Sequence, residues 1–194
     1  MENILYIDDY INYFDKRNEK IISFKPYKET LKAGKVINSK KFINSFLKLK
    51  KEYKLKEPLL NEKIIFLINS TYSYDDRIKI KELLEELNYR KIEIINEVNL
   101  LKINKKNMFI NFNETYFNIY YLENDKVKLL SYEKNNVNNS LVFNIIKILN
   151  KENIIVFGKR YQEIINILKK TKNNYYFYEE SVNLFIELMK NKSV

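Results

Sequence analysis

The stretch IINEVNLLKINKKNMFINFNETYFNIYYL, residues 94–122, decides the fold, because one series of strands and helices ends within it and a second series begins. Its centre is a polar joint at residues 104–107, which follows an apolar segment. After the joint come two aromatic-rich segments, residues 108–112 and 116–122, whose length and spacing predict a hairpin of two strands. The joint is therefore the predicted hinge of a protein with two lobes.

On each side of the joint the hydrophobic periodicity predicts the same order of elements, β-β-β-α-β-α-β-α. The unbroken apolar run at residues 63–68 is typical of a parallel strand that is buried on both faces. A topology that repeats at this length indicates two pseudo-symmetric lobes. The predicted strands are residues 4–7, 11–14, 20–24, 63–68, 91–95, 108–112, 116–122, 126–132, 153–157 and 175–178.

The predicted fold class is therefore α/β, with a first lobe at residues 1–104 and a second lobe at residues 105–194. Each lobe is expected to contain a mixed sheet, in which an antiparallel meander continues into parallel strands, with helices on its faces. A chain of 194 residues that is 45% hydrophobic can bury a core of this kind.

Composition excludes several kinds of chemistry. The chain has no Cys and no His, so thiolate nucleophiles, Cys or His metal sites and His-based triads are all ruled out. The formal net charge of +10 comes from lysines that are spread over most polar positions, which is typical of a solvated surface rather than a nucleic-acid patch. The first ten residues lack the pattern of a signal peptide, and the longest apolar runs are too short to span a bilayer. We expect a cytoplasmic location, either free or peripheral to the inner membrane.

Parts of the chain resemble the superfamily of actins, sugar kinases and heat-shock-chaperone ATPases, and resemble bacterial actins and the seventy-kilodalton chaperones most. The segment FLINSTYSYDDRIKIKELLEELNYRKIEIINEV, residues 66–98, is similar to a chaperone pattern of strand, polar turn, amphipathic helix and a strand that closes with Ile-Asn-Glu-Pro. Here Ile95, Asn96 and Glu97 match and Val98 replaces the proline. The resemblance implies a reduced actin-like, ribonuclease H-like fold.

In that superfamily ATP and Mg²⁺ are held between the lobes by two Asp-x-Gly hairpins, an acidic residue at the connecting helix and a Gly-rich turn after a late strand. Glycines there let backbone N–H groups approach the phosphates, and the carboxylates position the metal ion and the attacking water. The resemblance places the remains of this nucleotide cleft at Asp8, Glu97, Asn111 and Gly158.

This sequence departs from the superfamily pattern at most of these positions. Tyr10 stands where the first hairpin needs glycine, and the second hairpin, NFNETY at residues 111–116, has neither the carboxylate nor any glycine. Glu114 would set a negative charge against phosphate, and the late turn keeps a single glycine. Only residues 134–152 lie between the second meander and the next strand, which leaves room for one helix and for no cleft-closing insertion.

We therefore predict a degenerate, non-catalytic member, a pseudo-ATPase without catalytic residues, metal or cofactor. Its expected role is an interaction or scaffold module in cell-shape, division or envelope and pilus assembly, with itself, another protein or a membrane-associated assembly as partner. Two alternatives stay open. Residual nucleotide binding would use Lys159 or Arg160 as phosphate ligands, and single-stranded nucleic acid could stack on the tyrosine-rich strands at residues 116–121 and 175–178.

Overall fold

The computed structural model describes residues 2–32, 34–69, 72–101, 103, 105–158, 162–178 and 181–190. Contacts divide the chain into two compact units, Met1–Asn99 and Leu100–Val194, which are called the first and second lobes below. The sequence-based boundary, after residue 104, lies slightly later in the chain than this division.

The first lobe is built on one five-stranded sheet in the order β3-β2-β1-β6-β7. Strands β1, β2 and β3 form an antiparallel meander, whereas β1, β6 and β7 run parallel to one another. Its elements are β1 (Asn3–Ile7), β2 (Ile11–Asp15), β3 (Lys20–Phe24), β4 (Leu31–Lys32), β5 (Lys35–Val36), α1 (Ser39–Glu52), β6 (Lys63–Ile68), α2 (Tyr74–Glu86) and β7 (Lys91–Asn96). We call the side of a sheet where its parallel strands end the carboxyl edge, and the opposite side the amino edge.

Local sequence explains both helices of this lobe. The side chain of Asn38 accepts a hydrogen bond of 3.0 Å from the backbone N–H of Lys41 and so begins α1, whose apolar residues are buried in the core. Ser73 and Asp76 form a reciprocal capping box at the start of α2. Caps of this kind fix where each helix begins, and the apolar stripe fixes which side meets the sheet.

The second lobe has the same strand arrangement, in the order β10-β9-β8-β11-β12. Strands β8, β9 and β10 are antiparallel, and β8, β11 and β12 are parallel. Its elements are β8 (Asn107–Phe112), β9 (Tyr116–Glu123), β10 (Lys126–Glu133), α3 (Asn139–Leu149), β11 (Asn153–Phe157), α4 (Gln162–Leu168), β12 (Asn174–Tyr178) and α5 (Ser181–Lys190). The mixed α/β fold class predicted from the sequence is confirmed.

Every predicted strand is present, and no strand end differs from its prediction by more than one residue. The first lobe departs from the predicted order in two places. A small hairpin of β4 and β5 precedes α1, and among the described residues after β7 the structure has a 3₁₀ turn, Glu97–Asn99, where a helix was predicted. The segment between β7 and β8 has ten residues, and a helix this short is marginally stable on its own. Between β10 and β11 the chain forms one 3₁₀ turn, Lys134–Asn136, and α3.

Candidate functional site

The carboxyl edge of the first sheet carries a buried polar residue directly after each of its three parallel strands. These residues are Asp8 after β1, Asn69 after β6 and Glu97 after β7, and each is at most 1% exposed. Ligands of open α/β sheets bind at this edge. The sequence predicted Asp8 and Glu97 as site residues but missed Asn69, although a polar residue that ends an unbroken apolar run was an available signal.

Asp8 holds the turn between β1 and β2. Its Oδ1 accepts a hydrogen bond of 2.7 Å from the backbone N–H of Tyr10 and one of 3.0 Å from the side-chain amide of Asn12. The N–H of Tyr10 belongs to the residue that replaces the glycine expected in a phosphate turn. Because this N–H already donates to Asp8, the turn is closed by its own carboxylate.

Glu97 is fully buried and its Oε2 accepts a hydrogen bond of 3.1 Å from the hydroxyl of Tyr6, which is also fully buried. The bond joins β1 to the end of β7 across the intervening strand β6. Burial raises the pKa of the nearby Tyr72 hydroxyl, and the negative charges of Asp76 and Glu97 raise it further. Tyr72 therefore stays a neutral donor, and its hydroxyl donates to the carbonyl oxygen of Gly34 at 2.8 Å.

In the second lobe, two asparagines occupy the end of β8 and the turn after it. Asn111 and Asn113 are both fully buried, and the side-chain amide of Asn113 donates to Oδ1 of Asn111 at 2.6 Å. The backbone N–H of Asn113 donates to the carbonyl oxygen of Tyr116 at 3.0 Å. The position predicted to have lost its carboxylate is thus occupied by a closed pair of amides.

Gly158, directly after β11, packs tightly against the same turn. Its φ is +107°, and a Cβ atom at this position would lie 2.5 Å from the carbonyl oxygen of Phe112 and 2.8 Å from Oδ1 of Asn113. Only glycine fits such a conformation and such a distance. Its N–H donates to the carbonyl oxygen of Tyr178 at 3.3 Å. The single glycine of the late turn therefore serves the packing of this lobe.

A serine–asparagine pair recurs at equivalent positions of the two meanders, and sequence reasoning missed it. Ser23 donates to Oδ1 of Asn12 at 2.8 Å in the first lobe, and Ser131 donates to Oδ1 of Asn118 at 2.6 Å in the second. Each serine lies directly opposite its asparagine on the neighbouring strand. Amide and aliphatic hydroxyl groups do not ionise near neutral pH, so these pairs orient the strands and do not supply an acid or a base.

Two further residues were predicted as possible phosphate ligands. Lys159 and Arg160 fall outside the described residues. Within the part of the chain that the structure describes, no group of three or more acidic side chains is placed to hold a metal ion. A depression of about 640 Å³ lies between the ends of α3 and α4, at the amino edge, and none of the predicted site residues lines it. None of the described helices has the length and apolar character needed to cross a bilayer.

The stacking surface considered for single-stranded nucleic acid is partly overturned. In β9, Tyr116 and Tyr120 are at most 4% exposed and belong to the core, so they offer no face to a base. In β12, Tyr175 and Tyr176 are 37% and 54% exposed. The first five residues of β9, Tyr116 to Tyr120, are all buried, so both faces of the strand are covered there and its aromatic residues belong to the core.

The turns at Tyr10, Asn113 and Gly158 are not arranged as the open phosphate turns that the resemblance implies. A phosphate turn needs free backbone N–H groups, and those of Tyr10, Asn113 and Gly158 all donate within their own lobes. The carboxylate that the superfamily places at the second hairpin is absent, because Asn111 occupies that position.

No protein-family model matches the chain, and a comparison with curated proteins finds no matching sequence. Solved structures nevertheless share its fold. They include the ethanolamine utilization protein EutJ from Carboxydothermus hydrogenoformans, with a TM-score of 0.62 and 10% identity over 96% of this chain and 87% of that one. MreB5 of Spiroplasma citri, bound to AMPPNP, gives a TM-score of 0.61 and 9% identity over 98% and 96%. The filament structure of AlfA, from a B. subtilis plasmid, gives 0.53 and 11% over 92% and 91%. The chain has the reduced actin-like fold that its sequence predicted.

Proposed function

We propose that this chain, an actin-like fold with closed phosphate turns, is a non-catalytic pseudo-ATPase that serves as an interaction or scaffold module. The observation that carries the proposal is the use of the three N–H groups of Tyr10, Asn113 and Gly158 within their own lobes. To bind phosphate, these N–H groups would have to leave their present acceptors. The carboxylate of Asp8 and the two carbonyl oxygens would then lose a hydrogen bond with nothing to replace it.

The charges of the second lobe support the same proposal. Asn111 replaces the carboxylate that the superfamily uses near the metal ion, and its Oδ1 accepts a hydrogen bond from the amide of Asn113. Glu114 is half-buried in the turn that would otherwise face the phosphates. A carboxylate in that place repels an anion instead of neutralising it. With an amide at this position, the described part of the second hairpin lacks the carboxylate that the superfamily uses to position the metal ion and the attacking water.

The partner we propose is a protein, either a second copy of this chain or a component of an envelope, division or shape-determining assembly. AlfA, which shares the fold, was solved as a filament, and this supports self-association as the first form of assembly to test. Light scattering and electron microscopy across protein concentrations, with and without nucleotide, would detect such assembly. Assembly that is independent of ATP is the expected result.

The direct test is calorimetric titration with ATP and Mg²⁺, together with thermal unfolding in the same mixtures. No heat of binding and an unchanged melting temperature are expected. Asp8→Asn is the informative variant, because it keeps an oxygen that can accept from Tyr10 and Asn12 while it removes the charge. Asp9→Asn is the matched control at the adjacent, half-buried position. Micromolar binding that Asp8→Asn abolishes and Asp9→Asn leaves intact would overturn the proposal.

Residual nucleotide binding is the second candidate, and one observation favours it. The first lobe keeps two buried carboxylates, Asp8 and Glu97, at the carboxyl edge where a bound nucleotide would lie. Binding without hydrolysis in the same titration would support this candidate. Release of phosphate at a rate that depends on either carboxylate would support an active ATPase instead.

A further inference from the structure

A groove along α3 and α4 of the second lobe is lined with lysines. It consists of the depression of about 640 Å³ between the ends of the two helices and a second depression of about 490 Å³ beside it. Phe143 and Lys170 border both depressions, which makes them one continuous groove. Because α3 has 11 residues, the groove that follows it is roughly 16 Å long. We call it the basic groove, after its four lysines, Lys147, Lys151, Lys170 and Lys172.

The positive charge of the basic groove is not balanced by nearby acidic side chains. Among the described residues that line it, the one carboxylate is that of Glu152, which forms an ion pair of 3.2 Å with Lys106. Glu163, further along α4, pairs with Lys134 at 3.6 Å. Three of the four lysines are exposed and form no ion pair with any residue that the structure describes: Lys147, Lys170 and Lys172. The groove therefore offers its charge to a ligand.

The fold, rather than the local sequence, brings these lysines together. Lys147 lies in the last turn of α3, where the helix dipole favours a cation. The dipole does not account for the other three, because Lys151, Lys170 and Lys172 lie beyond the helix ends. The four converge because α3 and α4 pack against each other and end at the same edge of the sheet. In the sequence they are scattered among many other lysines and look like part of a solvated surface.

The other side chains of the basic groove fit single-stranded nucleic acid. Proteins bind single strands with cations that follow the phosphates and with aromatic rings on which bases stack. Phe143 is 36% exposed and borders both depressions, so its ring lies between the lysines and the polar half of the groove. Amide side chains, which can both donate to and accept from base edges, line the remainder. They are Asn139, Asn144, Asn150, Asn166 and Asn173.

An acidic helix of a partner protein fits the basic groove less well. A helix that lies in a groove is held by a row of apolar anchors. Ile146 and Ile167 also line this groove, but they are only 1% and 6% exposed, so Phe143 is the one exposed apolar side chain among its described residues. A single ring suits a stacked base better than a row of anchors.

We propose that the basic groove binds single-stranded nucleic acid, with a base stacked on Phe143 and the phosphates at the lysines. The net charge of +10 adds a long-range attraction for such a ligand. This inference is independent of the loss of nucleotide chemistry at the carboxyl edge, so either can fail without the other.

Fluorescence anisotropy with labelled oligo(dT) and oligo(U) tests the proposal on the full chain. The wild-type protein should bind at low salt, and the logarithm of its affinity should fall with the logarithm of the salt concentration with a slope of roughly −2 to −3. The tighter of the two probes identifies DNA or RNA as the ligand. Replacing two lysines in one variant, Lys147→Gln and Lys172→Gln, should lower the affinity roughly tenfold and make the slope shallower by about 1.

Phe143→Leu separates stacking from charge. Leucine keeps the apolar contacts of this position with the helix pair but has no aromatic ring. The affinity should fall roughly fivefold because stacking is lost, while the salt slope stays unchanged because no lysine is removed.

Lys40→Gln with Lys51→Gln is the matched control, because both lysines are exposed on α1 of the first lobe and the change in net charge is the same. This variant is expected to bind like wild type, and thermal unfolding checks that every variant is folded. The proposal is overturned if wild type does not bind at low salt, if the two lysine variants lose affinity equally, or if Phe143→Leu binds like wild type. Equally tight binding of duplex DNA would assign the interaction to charge alone. Displacement of the oligonucleotide by poly-glutamate at the same charge concentration would assign the groove to an acidic protein, and either result also overturns the proposal.

Discussion

The side-chain amide of Asn113 donates to the side-chain oxygen of Asn111 at 2.6 Å, and neither residue is exposed to solvent. Because Asn111 stands where the resemblance implies a metal-positioning carboxylate, this bond fills the position with a neutral, satisfied pair. Two buried amides that hydrogen-bond to each other cost the protein little stability. Removing one of them leaves the other without a hydrogen-bond partner, which costs much more. The pair therefore stabilises the second lobe and disfavours an anion at this edge.

Asn111→Asp restores the carboxylate of the superfamily and tests whether one residue separates this chain from nucleotide binding. We expect no ATP binding by calorimetry, because the N–H groups of Asn113 and Gly158 remain committed within the lobe. Burying a charge in place of a neutral amide should lower the free energy of unfolding by about 1–3 kcal/mol. ATP binding by this single variant would show that the turns open readily and would count against the pseudo-ATPase.

Gly158→Ala should destabilise the second lobe by about 2–4 kcal/mol, since its Cβ would meet backbone and side-chain atoms and its φ is left-handed. Asn150→Ala is the control. Asn150 also has a positive φ, +42°, at the end of α3, but it is exposed. Asn150→Ala should lower the free energy of unfolding by about 1 kcal/mol, because only the positive φ disfavours alanine there. Urea unfolding of the two variants compares these costs, and equal losses would mean that close packing around Gly158 contributes nothing.

The strands were predictable because their signals are local. The unbroken apolar run at residues 63–68 is typical of a buried parallel strand, and the structure places it between the parallel strands β1 and β7, next to the central strand β1. The helix predicted after β7 failed for a different reason. Buried Leu100 and Leu101 follow the 3₁₀ turn, and apolar residues near a joint suggest a helix even where the chain is too short to form one.

At the candidate site, the sequence could identify positions but not their hydrogen bonds. It marked Asp8, Glu97, Asn111 and Gly158, and the structure places each at the end of a parallel strand or directly after it. The bond from Tyr6 to Glu97 joins residues 91 positions apart, so no periodicity could show it. The same holds for the tight approach of Gly158 to Phe112, which depends on two strands that only the folded sheet brings together.

Tyr6→Phe removes the hydroxyl that donates to buried Glu97, and should lower the free energy of unfolding by about 1–3 kcal/mol. In the background of Glu97→Gln the same substitution should cost less, because the hydroxyl no longer stabilises a carboxylate. A double-mutant cycle on urea unfolding measures the coupling between the two side chains. Additive effects would contradict a direct interaction between them.

The ion pair between Lys35 and Asp76, 2.8 Å apart, makes an acid-sensitive contact between the β4–β5 hairpin and the start of α2. The hydrogen bond from Lys35 holds the pKa of the Asp76 carboxyl below its ordinary value of 3.8, and the capping bond from Ser73 adds to this effect. A carboxyl whose pKa is lower in the folded state contributes stability that is fully present above its ordinary pKa and is lost as the pH falls through the folded-state value.

Lys35→Met should therefore destabilise the protein near neutral pH and make its acid unfolding less dependent on Asp76. Lys81→Met, which removes an exposed lysine from the same helix without touching Asp76, is the control. If urea unfolding between neutral and acid pH gives parallel stability curves for wild type and Lys35→Met, Lys35 does not set the pKa of Asp76.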